Sequence, residues 1–246
     1  MKAVILAAGV GSRLAPLTND RPKALVTVDG RPILFRQLDL LAAAGIKSDQ
    51  VVVVGGYKVD MLRTELMRGG FRCKVILNEK YLTWGNFYSL LCAETELRGY
   101  DFLQCDGDVV LDDKILPRMI DAAGDGMIAV DPGAELDDDA MKVSLDDDGR
   151  VTGLDKKLDP AVCMGEYIGI TKLSARGGTH VFRELAKFEA ESLTHEYYDT
   201  AYGRLSLRHE LPFKIVDVHD CEVLEVDDLS DLKRAEDIVR RRTATA

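Results

Sequence analysis

Over the first hundred residues, short apolar runs ending in Gly or Asp alternate with stretches of helical periodicity, and no other feature constrains the fold as much. Residues 4–7 (Val-Ile-Leu-Ala) form a continuous apolar run before a Gly-rich turn, the pattern of a strand buried on both faces of a parallel sheet. Pro32 stands where a helix can start. Ile33, Leu34, Leu38, Leu41 and Ala42 then recur at helical spacing, and Gly45 is a stop signal. The same reading predicts a strand over 51–54, a helix over 58–67, a strand over 74–77, a helix over 87–97 and a strand over 101–105. Such alternation implies βαβ units, hence an α/β fold with a mostly parallel central sheet and helices on both faces. Ligands of these sheets gather at the carboxyl ends of the strands. The turns at 9–13, around Gly56 and at Asp106-Gly107-Asp108 all lie at such ends.

The pattern changes near Gly126. Short strands are expected over 127–130, 141–145 and 151–154, with Asp148-Gly149 as a hairpin turn between the last two. The acidic run Glu135-Leu136-Asp137-Asp138-Asp139 reads as a solvated surface loop. Helices are expected over 175–190 and 199–208, strands over 213–218 and 222–226, and a last helix from Asp228. No linker, repeat or low-complexity tract interrupts the chain. Its 246 residues, 46% of them hydrophobic, are expected to form a single three-layer α/β/α domain with a small β-hairpin insertion.

A net charge of −10 disfavours broad attraction to nucleic acid or to an anionic membrane, so an anionic ligand must be gripped by a few local cations. No apolar stretch reaches the ~20 residues of a membrane helix. The apolar N-terminus is short and broken by Gly and Arg13, which reads as a first strand rather than a signal segment. The five cysteines are dispersed without C-x-x-C spacing, which fits reduced thiols. A cytoplasmic location is expected.

The turn Gly9-Val10-Gly11-Ser12-Arg13-Leu14 lets backbone N–H groups approach an anion closely. It is not the dinucleotide fingerprint, because Leu14 stands where the third Gly belongs, and no Gly-Lys-Ser/Thr follows to make a P-loop. Arg13 on the loop, with Lys23 ten residues on behind the stiffening Pro22, offers two cations for a polyphosphate. A tight turn with two surface cations is the competing reading.

Leu6-Ala7-Ala8-Gly9-x-Gly11-Ser12-Arg13-Leu14-x-Pro16-Leu17-Thr18, followed by Pro22-Lys23-Ala24-Leu25, resembles the signature of the nucleotidyltransferases with a GT-A-like Rossmann sheet. The resemblance implies that Leu6, Ala7, Ala8, Gly9, Gly11, Ser12, Arg13 and Lys23 bind the nucleoside triphosphate. It makes Arg13 and Lys23 the catalytic cations on its phosphates. It further implies Mg²⁺ ligation by Asp108 and by Asp227 of the late Glu225-Val226-Asp227. Oxygen-rich ligands shared with phosphate oxygens suit Mg²⁺. Asp106 supports the same shell or ends its strand. On this reading residues 1–125 mainly bind nucleotide, and 126–246 mainly bind acceptor and supply the second metal ligand. The family includes dimers, so a homodimer is an open expectation with no interface assigned.

Trp84-Gly85-Asn86-Phe87-Tyr88-Ser89-Leu90 is similar to a segment of the phosphocholine and phosphonate cytidylyltransferases, and implies that Asn86 and Ser89 join the nucleotide site, where Gly56 is also expected from its place at a strand end. A plain helix-capping role for Asn86 is the alternative. Lys156, Lys157, Glu166 and Asp199 are the expected acceptor-binding residues. The implied reaction is transfer of CMP from CTP to a small phosphonate or phosphomonoester: 2-aminoethylphosphonate, a hydroxyalkylphosphonate or phosphocholine. A sugar-1-phosphate enzyme using dTTP or UTP, and a nucleotide-sensing subunit without turnover, are the competing readings.

Overall fold

The computed structural model describes residues 1–245. The strands are β1 (Lys2–Ala7), β2 (Thr27–Val28), β3 (Arg31–Pro32), β4 (Val51–Gly55), β5 (Lys74–Leu77), β6 (Phe102–Asp106), β7 (Val109–Val110), β8 (Gly126–Asp131), β9 (Lys142–Leu145), β10 (Val151–Asp155), β11 (Gly165–Leu173), β12 (Lys214–Asp217) and β13 (Leu224–Glu225). The helices are α1 (Ile33–Ala43), α2 (Val59–Arg68), α3 (Phe87–Cys92), α4 (Glu94–Leu97), α5 (Ile115–Asp121), α6 (Ala175–Ala190), α7 (Tyr198–Leu207) and α8 (Leu229–Thr245).

β1 is central, parallel to β4 on one side and to β6 on the other, and the main sheet runs β10-β9-β11-β6-β1-β4-β5. Side chains alternate across a strand, so β1 serves two cores at once. Ala3, Ile5 and Ala7 pack with Leu34 and Leu38 of α1, Leu62 of α2 and Leu116 of α5. Val4 and Leu6 face the other layer, with Phe87 of α3, Phe182 of α6 and Tyr202 of α7. A third cluster seats α8, through Ala235 and Val239, against Leu14, Val28 and Val110. The three layers are as expected. No helix among the described residues is long and apolar enough to cross a membrane.

The sheet is mostly parallel around β1, as expected, and becomes mixed through β11, a strand the sequence reading did not include, which runs antiparallel to β6, β8 and β9. Two further features differ. The helix expected over 87–97 is broken at Ala93 into α3 and α4. The short helix α5 and the β2–β3 hairpin were not anticipated.

Candidate active site

The turn after β1 is shaped by Gly11, which sits in the left-handed region at φ +71°. A Cβ there would lie 2.9 Å from Cβ of Lys23, so the glycine lets the Lys23 stem pass beneath the loop. Thr18 closes the loop by donating its hydroxyl to the Gly11 carbonyl at 2.8 Å. Lys23 is only 8% exposed, and its ammonium donates to Asp108 Oδ2 and Asp227 Oδ1, both at 2.6 Å. Glu225 Oε1 lies 3.9 Å away. Arg13 reaches the other Asp227 oxygen at 2.6 Å.

The carboxylates converge through two short strands. Asp108 sits in the turn between β6 and β7, and β7 pairs with β13, whose end carries Glu225 and then Asp227. One oxygen from each of Asp108, Glu225 and Asp227 can be chosen so that all lie within 4.8 Å of one another. Hard oxygen donors in this number fit a small divalent cation.

The charges act strongly on each other. Burial works against the Lys23 ammonium, but Asp108 and Asp227 outweigh it and hold its pKa above the usual lysine range. Burial also raises Asp227, yet Lys23 and Arg13 keep its carboxyl below the usual range. Glu225 lacks so close a cation; its side chain is 59% exposed, and the neighbouring Asp108 and Asp227 charges raise it above the usual carboxylate range. Asp106 points away into a buried polar network. Its oxygens accept from Tyr198 Oη at 2.6 Å and Gln104 Nε2 at 3.1 Å. Burial, then the Asp108 charge, raises its pKa well above the carboxylate range.

Two clefts meet at this centre, and Glu225 stands in the wall of both. The smaller, about 210 Å³, is lined by Leu6, Ala8, Gly9, Asn78, Asn86, Ser89, Asp106 and Asp108. Six of the twelve residues expected to bind nucleotide, Leu6, Ala8, Gly9, Asn86, Ser89 and Asp106, therefore share this cleft, while Ala7, Gly11, Ser12, Arg13, Lys23 and Gly56 do not line it. Ser89 is nearly buried and its hydroxyl accepts from Asn78 Nδ2 at 2.9 Å. Asn86 caps nothing on its own helix; its Oδ1 accepts from the Tyr198 backbone N–H at 3.0 Å. Gly56 is buried behind the cleft wall, where a Cβ would meet Tyr81 at 2.6 Å and the Ala8 carbonyl at 2.8 Å. It does not line the cleft, and the close approach of Tyr81 and Ala8 accounts for the glycine.

The larger cleft, about 520 Å³, is lined by Arg13, Lys156, Tyr167 and many carboxylates, among them Glu166, Asp227, Asp131, Glu135, Asp137 and Asp139. The run at 135–139 is thus part of a cleft wall and not merely a solvated loop, a placement made by tertiary packing that no local pattern encodes. Two expected acceptor residues do not line it. Lys157 is exposed outside the cleft, its N–H held by Asp155 at 2.8 Å. Asp199 is 5% exposed at the start of α7, and burial lifts it to about 7. The sequence reading also passed over Asn78 and Gln37. Asn78 directly follows β5, so the strand-end rule could have found it.

Residues 3–163 match the model of the MobA-like NTP transferase domain. The chain belongs to this family. Among curated relatives, the choline-phosphate cytidylyltransferase of Streptococcus pneumoniae is 37% identical over 106 residues, 43% of this chain and 44% of that protein. The CMP-5′-(3-aminopropyl)phosphonate synthase of Streptomyces rubellomurinus is 29% identical over 257 aligned residues, covering 96% of this chain and 38% of that protein. The glucose-1-phosphate thymidylyltransferase of Streptomyces antibioticus is 34% identical over 164 residues, 64% of this chain and 45% of that protein. The chain spans about half the length of the curated relatives it matches. Among solved structures, the CTP:phosphocholine cytidylyltransferase of Streptococcus pneumoniae superposes with a TM-score of 0.74 at 23% identity, covering 97% of this chain and 98% of that one. The inositol-1-phosphate CTP transferase of T. maritima gives 0.78 at 21%, covering 96% and 93%. These likenesses establish the shared α/β nucleotidyltransferase fold.

Proposed function

We propose that this nucleotidyltransferase moves CMP from CTP to a small phosphonate or phosphomonoester and releases pyrophosphate. One observation carries the reading: a single centre of two cations and three carboxylates stands where two clefts meet. The nucleotide is assigned to the smaller cleft, with its base toward Asn78, Asn86 and Ser89. The acceptor is assigned to the larger one. The choice of CTP rests on the likeness of the 84–90 segment to cytidylyltransferases, and the cytidylyltransferase relatives support it.

Mechanistically, an anionic acceptor oxygen attacks the α-phosphorus in line, and the bond to the pyrophosphate oxygen breaks. No general base is needed, because the attacking oxygen is already ionised near neutral pH. The protein must align two repelling anions, and alignment alone can contribute up to ~7–11 kcal/mol. Asp108, Glu225 and Asp227 would hold Mg²⁺, which when bound supplies charge neutralisation at the phosphates. Lys23 and Arg13 turn from the carboxylates to the departing pyrophosphate oxygens, adding preorganised stabilisation where charge develops.

For the acceptor, Lys156 suits its phosphorus group, and the carboxylates beyond it suit a protonated amine. Quaternary ammonium groups favour aromatic cages, and Tyr167 is the one aromatic residue in that wall. An aminoalkylphosphonate therefore fits better than phosphocholine. The test is pyrophosphate release with Mg²⁺, crossing four nucleoside triphosphates with aminoalkylphosphonates, phosphocholine and sugar phosphates. CTP-dependent release with an aminoalkylphosphonate is expected. Selective use of dTTP or UTP with a sugar phosphate would replace the cytidylyl assignment, and nucleotide binding without turnover on any acceptor would favour a sensor.

A further inference from the structure

Gln37 lies on the buried stripe of α1, between Leu34 and Leu38, and is 1% exposed. Its side-chain Nε2 donates to the Asp106 carbonyl at 2.7 Å and to the Val109 carbonyl at 2.8 Å. These two carbonyls bracket the turn that carries Asp108. Gln37 Oε1, on the far side of the amide, is buried with no hydrogen-bond partner among the described residues. Flipping the amide would set its oxygen against both carbonyls, so the orientation follows from the donors and acceptors present. A buried acceptor left unpaired is rare and costly, and such exceptions cluster where function overrides local satisfaction.

The rest of the turn is held equally tightly. Gly107 N–H donates to the Leu6 carbonyl at 2.9 Å, and Val226 N–H donates to the Asp108 carbonyl at 3.0 Å. A Cβ on Gly107 would come within 2.6 Å of the Leu6 oxygen. Val109 in turn pairs with Glu225 across the β7–β13 ladder. Fixing the two ends of this turn therefore fixes Asp108 directly, and Glu225 and Asp227 through the ladder.

We infer that Gln37 is the positioning residue of the carboxylate centre, its amide strapping the Asp106–Val109 turn so that Asp108, Glu225 and Asp227 converge. This rests on the reading of those carboxylates as metal ligands in nucleotidyl transfer. Gln37 touches no substrate; it acts through the turn.

The test compares Gln37→Met, which keeps the length and removes the donor, with Leu38→Ala, which opens a hole in the same helix and core but leaves both Gln37 hydrogen bonds in place. Three readouts are needed: hydrogen exchange of the Gly107 and Val226 amides, Mn²⁺ affinity with saturating CTP, and kcat separately from KM for CTP. Gln37→Met is expected to speed exchange at both amides and to lower Mn²⁺ affinity and kcat by about 10–100-fold, the usual effect of losing a group that orients a ligand. KM for CTP should move far less. Leu38→Ala should lower Tm at least as much while leaving Mn²⁺ affinity and kcat near wild type. Unchanged exchange and Mn²⁺ affinity in Gln37→Met overturns the inference, as do equal losses in Leu38→Ala. Failure of the underlying reading looks different. The wild type itself would then bind no Mn²⁺ and release no pyrophosphate while the two amides still responded to Gln37→Met, which removes the metal-positioning role.

Discussion

The Lys23 ammonium lies 2.6 Å from Asp108, 2.6 Å from Asp227 and 3.9 Å from Glu225, the centre of the carboxylate triad. A divalent cation held by the same three groups competes with it for that position. Lys23 should therefore oppose metal binding until a triphosphate draws it away. Hydrogen bonds to charged groups contribute about 1.5–3 kcal/mol each. Two of them at the lower figure make roughly 3 kcal/mol, about a hundredfold in affinity. Lys23→Met removes the competitor and keeps most of the stem that packs beneath the Gly11 loop. Mn²⁺ binding without nucleotide, followed by the paramagnetic signal of the free ion, should become about a hundredfold tighter in Lys23→Met, from the lower-figure estimate above. In the wild type, CTP should tighten Mn²⁺ binding, and in the variant that gain should largely vanish, since linkage between the two ligands is reciprocal. Turnover should fall by ~10²-fold or more in the same variant, because the cation on the leaving group is gone. Mn²⁺ affinity that is equal or weaker in Lys23→Met would refute the competition. Raising the pH offers no substitute for the mutation, because the two aspartates hold the ammonium protonated beyond the ordinary lysine range.

Three further outcomes are expected. Asp108→Asn should keep the fold and lose at least ~10²-fold in turnover; near-wild-type turnover at saturating Mg²⁺ would take Asp108 out of the mechanism. Asp199, nearly buried, is lifted from 3.8 to about 7, so the folded state holds its proton where the unfolded state has lost it. Stability is then fully present below pH 4 and falls as pH rises toward 7. The stability of Asp199→Asn relative to wild type should accordingly grow by roughly 4 kcal/mol across that window in denaturant titrations; a flat difference would show that Asp199 ionises normally. At Gly85, a Cβ would sit 1.9 Å from the Glu196 carbonyl oxygen, against a segment that Gly85 N–H joins by donating to Thr194 at 2.7 Å. Gly85→Ala should cost about 1–3 kcal/mol in stability, as overpacking does, and should raise KM for the nucleotide, because Asn86 moves with the backbone.

The strands that build the smaller cleft were legible because each is a short apolar run that announces its own end. The whole glycine loop, with Arg13 and Lys23, is contiguous in sequence, and so is Glu225-Val226-Asp227. What escaped was non-local. β11 is the longest strand in the sheet, yet it contains Gly165, Glu166, Gly169 and Lys172, which blur any alternation. Its identity as a strand comes from pairing with β6, β8 and β9, partners that a window of neighbouring residues does not contain. Gly169 is needed for a reason visible only in three dimensions: at φ +76°, its Cβ would lie 2.7 Å from Asp106 Oδ2. Gln37 is the opposite case. Ile33, Leu34, Leu38 and Leu41 define the buried stripe, and position 37 falls on it four residues after Ile33 and three after Leu34. A lone amide on an apolar stripe must find hydrogen bonds inside the protein or lose stability. Periodicity could therefore have marked Gln37, which the sequence reading passed over, as a residue with an interior polar partner, and the turn bearing Asp108 is that partner. Polar side chains that break an otherwise apolar helical stripe thus carry as much information about a site as the charged loops that line it.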